Sequence, residues 1–159
     1  EQLITDVLNY SSVGADNTAK SEVNLNTMVS DLISMLYIPD HIHIKSLNTL
    51  PNINGDKTKL QQLFQNLISN AVKFIDKTEG HIIIDLKSHY KFSIKDNGIG
   101  IDKKFHDKIF KIFHALNKSK DSTGIGLSIV KKIVNLHEGE IWLDSQPTVG
   151  TTFYFTLKK

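Results

Sequence analysis

The chain contains no cysteine. That excludes disulfides, thiolate metal sites and cysteine nucleophiles, and leaves the compartment open. No apolar run approaches the roughly 20 residues needed to cross a bilayer. No N-terminal stretch reads as a signal peptide. The formal net charge is only +2, so nothing calls for nucleic acid or an anionic membrane as partner. Internal repeats and low-complexity segments are missing. So are a Gly-Lys-Ser/Thr phosphate loop, a Gly-x-Gly-x-x-Gly fingerprint in a βαβ unit, a catalytic triad and a histidine–carboxylate metal cluster. What is there is a chain of 159 residues, 40% hydrophobic and 23% charged, which is the make-up of one globular domain with a real core. It begins without methionine, in what reads as mid-helix, and is expected to be a fragment of something longer.

The stretch 59–74 (K-L-Q-Q-L-F-Q-N-L-I-S-N-A-V-K-F) is the organising element. Leu60, Leu63, Phe64, Leu67, Ile68, Ala71 and Val72 recur at the spacing of an amphipathic helix. Asn66, Asn70 and Lys73 fall at i, i+4 and i+7 and share a second face. Asparagine is a mediocre helix former, so two of them one turn apart invite a functional reading. On a lone helix they would simply be solvated.

Residues 1–13 carry Leu3, Ile4, Val7 and Leu8 at helical spacing and read as the last turns of a helix, followed by a polar linker over 11–20. Residues 21–24 fit a short strand. Asn26 is a candidate cap for a helix over 27–37 with Met28, Val29, Leu32, Ile33 and Leu36 inward, stopped by Pro39. Alternation over 41–46 predicts a strand, and 50–55 reads as a turn-rich connection. Asp56 is a plausible cap for the organising helix, which should run to about Ile75. Strands are expected over 82–86 and 92–95 around a tight turn, a short helix over 105–113, and a polar, mobile loop over 117–123. A helix opens at 124–126 and continues to Leu136, and strands follow over 140–144 and 151–157. The pattern predicts an α/β (α+β) two-layer sandwich, with a mixed, mainly antiparallel sheet packed on about three helices.

Two glycine segments follow the organising helix. Asp96-Asn97-Gly98-Ile99-Gly100-Ile101 comes after a strand with Phe92 and Ile94 buried. Glycines let the backbone turn and approach a flat ligand, and a carboxylate at a strand end can accept from an exocyclic amine such as that of adenine. By itself this is also a common Asp-Asn-Gly turn. Ser122-Thr123-Gly124-Ile125-Gly126-Leu127 precedes a second strongly amphipathic helix. Free N–H groups at a helix start suit phosphate, although a glycine-containing cap would read the same way. The amide oxygens of Asn66 and Asn70 are hard ligands suited to nucleotide-bound Mg2+, and Lys73 adds positive charge.

In the order N-L-I-S-N-A-V-K-F, D-N-G-I-G-I, K-I-F-K-I-F and S-T-G-I-G-L-S-I-V-K-K-I-V, with the tail H-E-G-E-I-W-L-D-S-Q-P-T-V-G-T-T-F-Y-F-T-L, the chain closely resembles the catalytic ATP-binding domain of two-component sensor histidine kinases. The motifs cover residues 56–157, roughly two thirds of the chain. The resemblance implies the Bergerat-type sandwich shared with heat-shock chaperone, mismatch-repair and type II topoisomerase ATPases. It implies ATP and Mg2+ as ligands, with Asn66, Asn70, Lys73 and Phe74 as the asparagine box and Asn70 on the metal. Asp96, Gly98 and Gly100 match the first glycine box, with Asp96 on adenine and Ile101 beside it. Phe110 and Phe113 match the phenylalanine box that packs a flexible lid. Gly124 and Gly126 match the second glycine box, flanked by Thr123, Ile125 and Leu127, and Thr151 completes the expected ATP contacts. Ser122 stands where that box often has another glycine. Lys118 or Lys120 could reach the γ-phosphate, and Lys120 is carried forward. Asn66 and Lys73 are the expected catalytic pair. Chaperone and repair ATPases have a water-activating glutamate where this chain has Asn66; a carboxamide is a poor base, which favours phosphoryl transfer over hydrolysis.

Such a kinase needs a phosphoacceptor histidine on a dimerisation helix. None of the seven histidines qualifies. His41 and His43 lie in a strand pattern, and His81 and His89 flank a hairpin. His106 sits in the short helix, His114 starts the lid, and His137 occupies a turn after the last helix. The resemblance therefore implies a domain over 21–159 preceded, over 1–20, by the end of a dimerisation helix and a linker. It implies a cytoplasmic location, an acceptor domain and a response-regulator receiver as partners, no nucleic acid, and a monomeric isolated chain from a homodimeric parent. Two other readings stay open, a degenerate nucleotide-binding docking module and a serine-phosphorylating kinase of the anti-sigma-factor type.

Overall fold

The computed structural model describes residues 20–88, 90–110 and 126–158. In chain order these form β1 (Ser21–Asn24), α1 (Leu25–Met35), β2 (Ile42–Ser46), β3 (Asn52–Gly55), α2 (Lys57–Phe74), β4 (Gly80–Ser88) and β5 (Lys91–Asp96). A 3-10 turn at Lys103–Phe105, α3 (Gly126–Leu136), β6 (Ile141–Gln146) and β7 (Gly150–Thr156) complete the order. Five strands make one sheet in the order β2-β4-β5-β7-β6. The β2–β4 pair is parallel and the others are antiparallel. β1 and β3 form a separate antiparallel ribbon. The expected two-layer sandwich with a mixed sheet and three α-helices is what the described residues form.

The organising helix is α2. Asp56 caps it as expected, its side chain accepting from the Lys59 N–H at 3.2 Å. Lys59 is itself buried, with its ammonium 3.6 Å from the Asp56 carboxylate. The apolar stripe Leu60, Leu63, Phe64, Leu67, Ile68 and Ala71 is buried against the sheet and α3. Each fully buried Leu, Ile or Phe contributes roughly 1.5–3 kcal/mol. Phe64 meets Phe155 and Phe92 edge-on, with ring centroids at 5.5 and 6.3 Å. α3 buries Ile129, Val130, Ile133 and Val134 in the same layer.

Four sequence expectations are corrected. The cap of α1 is Asn24, not Asn26, and its side chain accepts from Thr27 N–H. Asn26 reaches across to accept from the Leu50 N–H at 3.1 Å. Residues 52–55, expected as connection, are the strand β3. Their asparagines hid an alternation in which Ile53 and Gly55 face inward and pair with β1. Over 105–113 the described part is no α-helix. Asp102 accepts from Lys104 N–H and tightens the chain into a 3-10 turn, with further turns to Phe110. His81 does not flank the hairpin; it lies in β4, opposite His43 of β2.

Candidate functional site

Asn66 and Asn70 are half-buried on α2 and Lys73 is exposed. Asn66 Nδ2 donates to the Gly126 carbonyl at 3.4 Å. The polar face of α2 and the start of α3, 60 residues apart in the chain, therefore meet. Among the described residues nothing lies within 4 Å of where a Cβ at Gly126 would stand.

Asp96 ends β5 with only 7% of its surface exposed. Its Oδ1 accepts from the Gly98 N–H at 2.8 Å and the Thr151 N–H at 3.4 Å. Its Oδ2 has no partner among the described residues. Burial pushes the carboxyl above its usual range, against the pull of those two N–H groups and of Lys77. A buried acceptor with no donor among the described residues suits an N–H-bearing ligand.

The glycines of this loop are needed for reasons the sequence did not disclose. A Cβ at Gly98 would stand 2.5 Å from the Phe74 carbonyl oxygen. Gly100 has φ +76° and a Cβ there would strike the Gln146 carbonyl. The close approach is to the protein's own backbone. Ile99 N–H bonds the Phe74 carbonyl at 3.0 Å, and the Thr148 N–H bonds the Ile99 carbonyl at 2.7 Å. The loop is thus clamped between the end of α2 and the β6–β7 turn. Thr148 holds φ +69°, an unusual conformation for a β-branched residue.

Four contributors went unseen in the sequence. Lys77 Nζ donates to the Asn97 and Gly98 carbonyls at 2.7 and 3.1 Å, pinning the loop from outside. Ser145 Oγ accepts from the Ile101 N–H at 2.7 Å. Ser128 Oγ donates to the Phe110 carbonyl at 2.9 Å and ties that residue to α3. Thr148 holds the turn. Each acts through tertiary neighbours and carries no spacing that a pattern search would catch. Phe110 also packs edge-on against Phe153, 6.2 Å between centroids. His137 is structural, as expected: it is 2% exposed, Nδ1 donates to the Ile133 carbonyl and Nε2 accepts from the Asp56 N–H.

The structure brings Asn66, Asn70, Lys73, Phe74, Asp96, Gly98, Gly100, Ile101, Gly126, Leu127 and Thr151 to one end of the sandwich, where α2 and β5 terminate and α3 begins. Phe113, Lys118, Lys120, Ser122, Thr123, Gly124 and Ile125 lie outside the described residues, as do residues 1–19, His89 and His114. The residues present fit an adenine nucleotide with its metal. Asp96 offers a buried acceptor, and Asn66 and Asn70 offer neutral oxygens suited to a hard cation. No cluster of three or more His, Cys, Asp or Glu suited to an independent metal site exists among the described residues.

A family model for histidine kinase-, DNA gyrase B- and HSP90-like ATPases matches residues 55–159. The chain belongs to this ATPase family. Its relatives include sensor histidine kinases. The domain is 40% identical over 164 residues to cyanobacterial phytochrome A of Nostoc sp., covering 99% of this chain and 21% of the relative. It is 32% identical over 171 residues to the sensor histidine kinase WalK of Bacillus subtilis, covering 98% of the chain and 28% of the relative. The domain thus spans between about a fifth and somewhat more than a quarter of these relatives' length. Among solved structures, the catalytic domain of histidine kinase ThkA superposes with a TM-score of 0.70 at 27% identity, over 88% of this chain and 95% of that one. ThkA in complex with its response regulator TrrA gives a TM-score of 0.76 at 25% identity, over 99% of this chain and 46% of that one. Full-length ShkA in complex with AMPPNP shares the fold, with a TM-score of 0.79 at 24% identity over 98% of this chain and 35% of that one. This is a histidine kinase-type ATPase domain. Among the described residues no helix is long and apolar enough to cross a membrane.

Proposed function

We propose that the domain binds Mg-ATP and donates the γ-phosphoryl group to a histidine on the dimerisation domain of a parent sensor kinase. The observation that carries this is the buried, unpartnered Oδ2 of Asp96, set at the same end of the sandwich as the amide face of α2. Asp96 would accept from the exocyclic amine of adenine, with Ile101, Leu127 and Phe74 around the base and Thr151 beside it. Asn66, Asn70 and Lys73 would face the phosphates, and Lys120 and the 123–126 backbone would hold the polyphosphate. Asn70 would hold Mg2+, which when bound would supply charge neutralisation. In the transfer the bond from the γ-phosphorus to the β–γ bridging oxygen breaks. A bond to an imidazole nitrogen forms, the imidazole sheds its proton and ADP leaves. The protein's part is positioning and screening of charge. Asn66, a carboxamide, is a poor base, which favours phosphoryl transfer over hydrolysis.

We place the domain at 21–159, because β1 from Ser21 pairs with β3 immediately before the cap of α2; residues 1–20 would connect to the dimerisation helices. The acceptor histidine would be supplied by that domain, and a response-regulator receiver would take the phosphoryl group onward. We infer a cytoplasmic domain, monomeric when isolated, from a homodimeric parent. The test is calorimetric titration with a non-hydrolysable ATP analogue, with and without magnesium. Magnesium-dependent binding supports the reading. No binding by the unmodified chain would leave the motifs as scaffold for docking alone. Radiolabelled ATP should leave no phosphohistidine on the isolated chain and should label an added dimerisation domain.

A further inference from the structure

We propose that Ser145 is a positioning residue that makes the Thr151 hydroxyl a pure acceptor, and so favours a base with an amino group over one with an oxo group. The proposal rests on the nucleotide-binding reading above and assigns it a determinant of base choice.

The inference follows from counting protons. Ser145 Oγ has three contacts: the Ile101 N–H at 2.7 Å, the Gly150 carbonyl oxygen at 3.0 Å and the Thr151 Oγ1 at 2.7 Å. A serine hydroxyl has one proton to give and two lone pairs to receive with. The Ile101 amide can only donate, so it takes one lone pair. The Gly150 carbonyl can only accept, so it takes the Ser145 proton. The remaining contact is then a bond in which Thr151 donates and Ser145 accepts. All three contacts are hydrogen bonds at once only in this arrangement. Its effect is that the single Thr151 proton points at Ser145, and Thr151 Oγ1 keeps only lone pairs for anything else.

Thr151 stands directly opposite Asp96 in the β5–β7 register, and its N–H already bonds Asp96 Oδ1. Thr151 and Ser145 are likewise opposite in the β6–β7 register. The relay therefore runs across three adjacent strands into the site. Directly paired residues share a face of the sheet, so on the face that carries Asp96 the relay places a second oxygen that cannot donate. Two such acceptors complement an amino group, which carries two N–H donors. They oppose an oxo group at the same place, because a lone pair would meet a lone pair. Removing the Ser145 hydroxyl frees the Thr151 proton, which can then turn to an oxo group.

The test uses the full chain with calorimetric binding of non-hydrolysable triphosphates bearing adenine or hypoxanthine. The variants are Ser145→Ala, Ser145→Cys as a second deletion of the strong hydroxyl with less lost volume, and Ser145→Thr, which retains it. Hydrogen exchange of the Ile101 amide in nucleotide-free protein reads the relay without any ligand. The adenine-over-hypoxanthine affinity ratio should fall roughly tenfold in Ser145→Ala and Ser145→Cys, the worth of one hydrogen bond. The ratio should return in Ser145→Thr, and Ile101 protection should follow the same order. An unchanged ratio in both deletion variants that still bind adenine nucleotide overturns the proposal and leaves the nucleotide reading intact. Absence of adenine binding by the unmodified chain overturns both.

Discussion

Replacing Asp96 by asparagine should move binding and stability in opposite directions. In the folded protein Asp96 Oδ1 accepts two N–H bonds, from Gly98 and Thr151. An asparagine amide oxygen can accept both, so the loop has no reason to move. The change falls on the other side-chain atom, where a buried acceptor becomes an NH2 donor. An exocyclic amine of a bound base would then meet a donor. The lost bond is one to a charged acceptor, worth about 1.5–3 kcal/mol, so affinity for an adenine nucleotide should fall about 10- to 100-fold. Stability without ligand should behave otherwise. Burial raises the Asp96 carboxyl above its usual range, so the folded state holds that proton more tightly than the unfolded chain does. The folded state then binds more protons than the unfolded one. The stability from this group is full at low pH and is lost as pH rises through the raised folded value. Asparagine, neutral throughout, removes that loss, and the variant should melt at the same or a higher temperature than the parent at pH 7. The assays are calorimetric titration and thermal melts at pH 4 and pH 7. Undiminished affinity in Asp96→Asn would show that Oδ2 does not face the ligand. Weaker binding together with a melting point several degrees lower at pH 7 would show that the loop collapsed, and the inference from the unpartnered oxygen would fail.

His137 should make the protein acid-sensitive. Burial, the largest cause, pushes its pKa down, and its Nε2 already accepts from the Asp56 N–H, so the folded state disfavours a second proton. Its stabilisation should be complete above the ordinary histidine value of about 6.5 and decline as pH falls below it; urea melts between pH 5 and 8 should show this slope, and His137→Gln should flatten it. Phe64→Ala removes a fully buried ring packed on Phe92 and Phe155, and chemical denaturation should register a loss of about 3–5 kcal/mol. Gly98→Ala drives a Cβ against the Phe74 carbonyl, so the loop must shift. Denaturation should show a cost of about 1–3 kcal/mol, and adenine nucleotide binding should weaken with it.

The amphipathic helix 59–74 was legible because its apolar residues repeat with the helical period and an aspartate stands at its start. The β-hairpin of β4 and β5 and the tail strands followed from alternation. The candidate site residues stood out as motifs in a fixed order, because amides, a carboxylate and glycines recur there as a composite pattern. β3 was not legible, because Asn52 and Asn54 read as turn and only the pairing with β1 makes Ile53 a strand residue. The choice of Asn24 over Asn26 as cap was equally hidden; both can cap, and Leu50 decides by needing the Asn26 oxygen.

The chain by itself therefore determined the three α-helices, most of the strands and the identity of the chemical groups. Those depend on local periodicity and on residue types. Only the tertiary structure decided why the glycines are required, which oxygen of Asp96 is unpartnered, and what Lys77, Ser145 and Thr148 hold in place. These are relations between residues dozens of positions apart, and a hydrogen bond between the end of one strand and the turn of another has no period in the sequence.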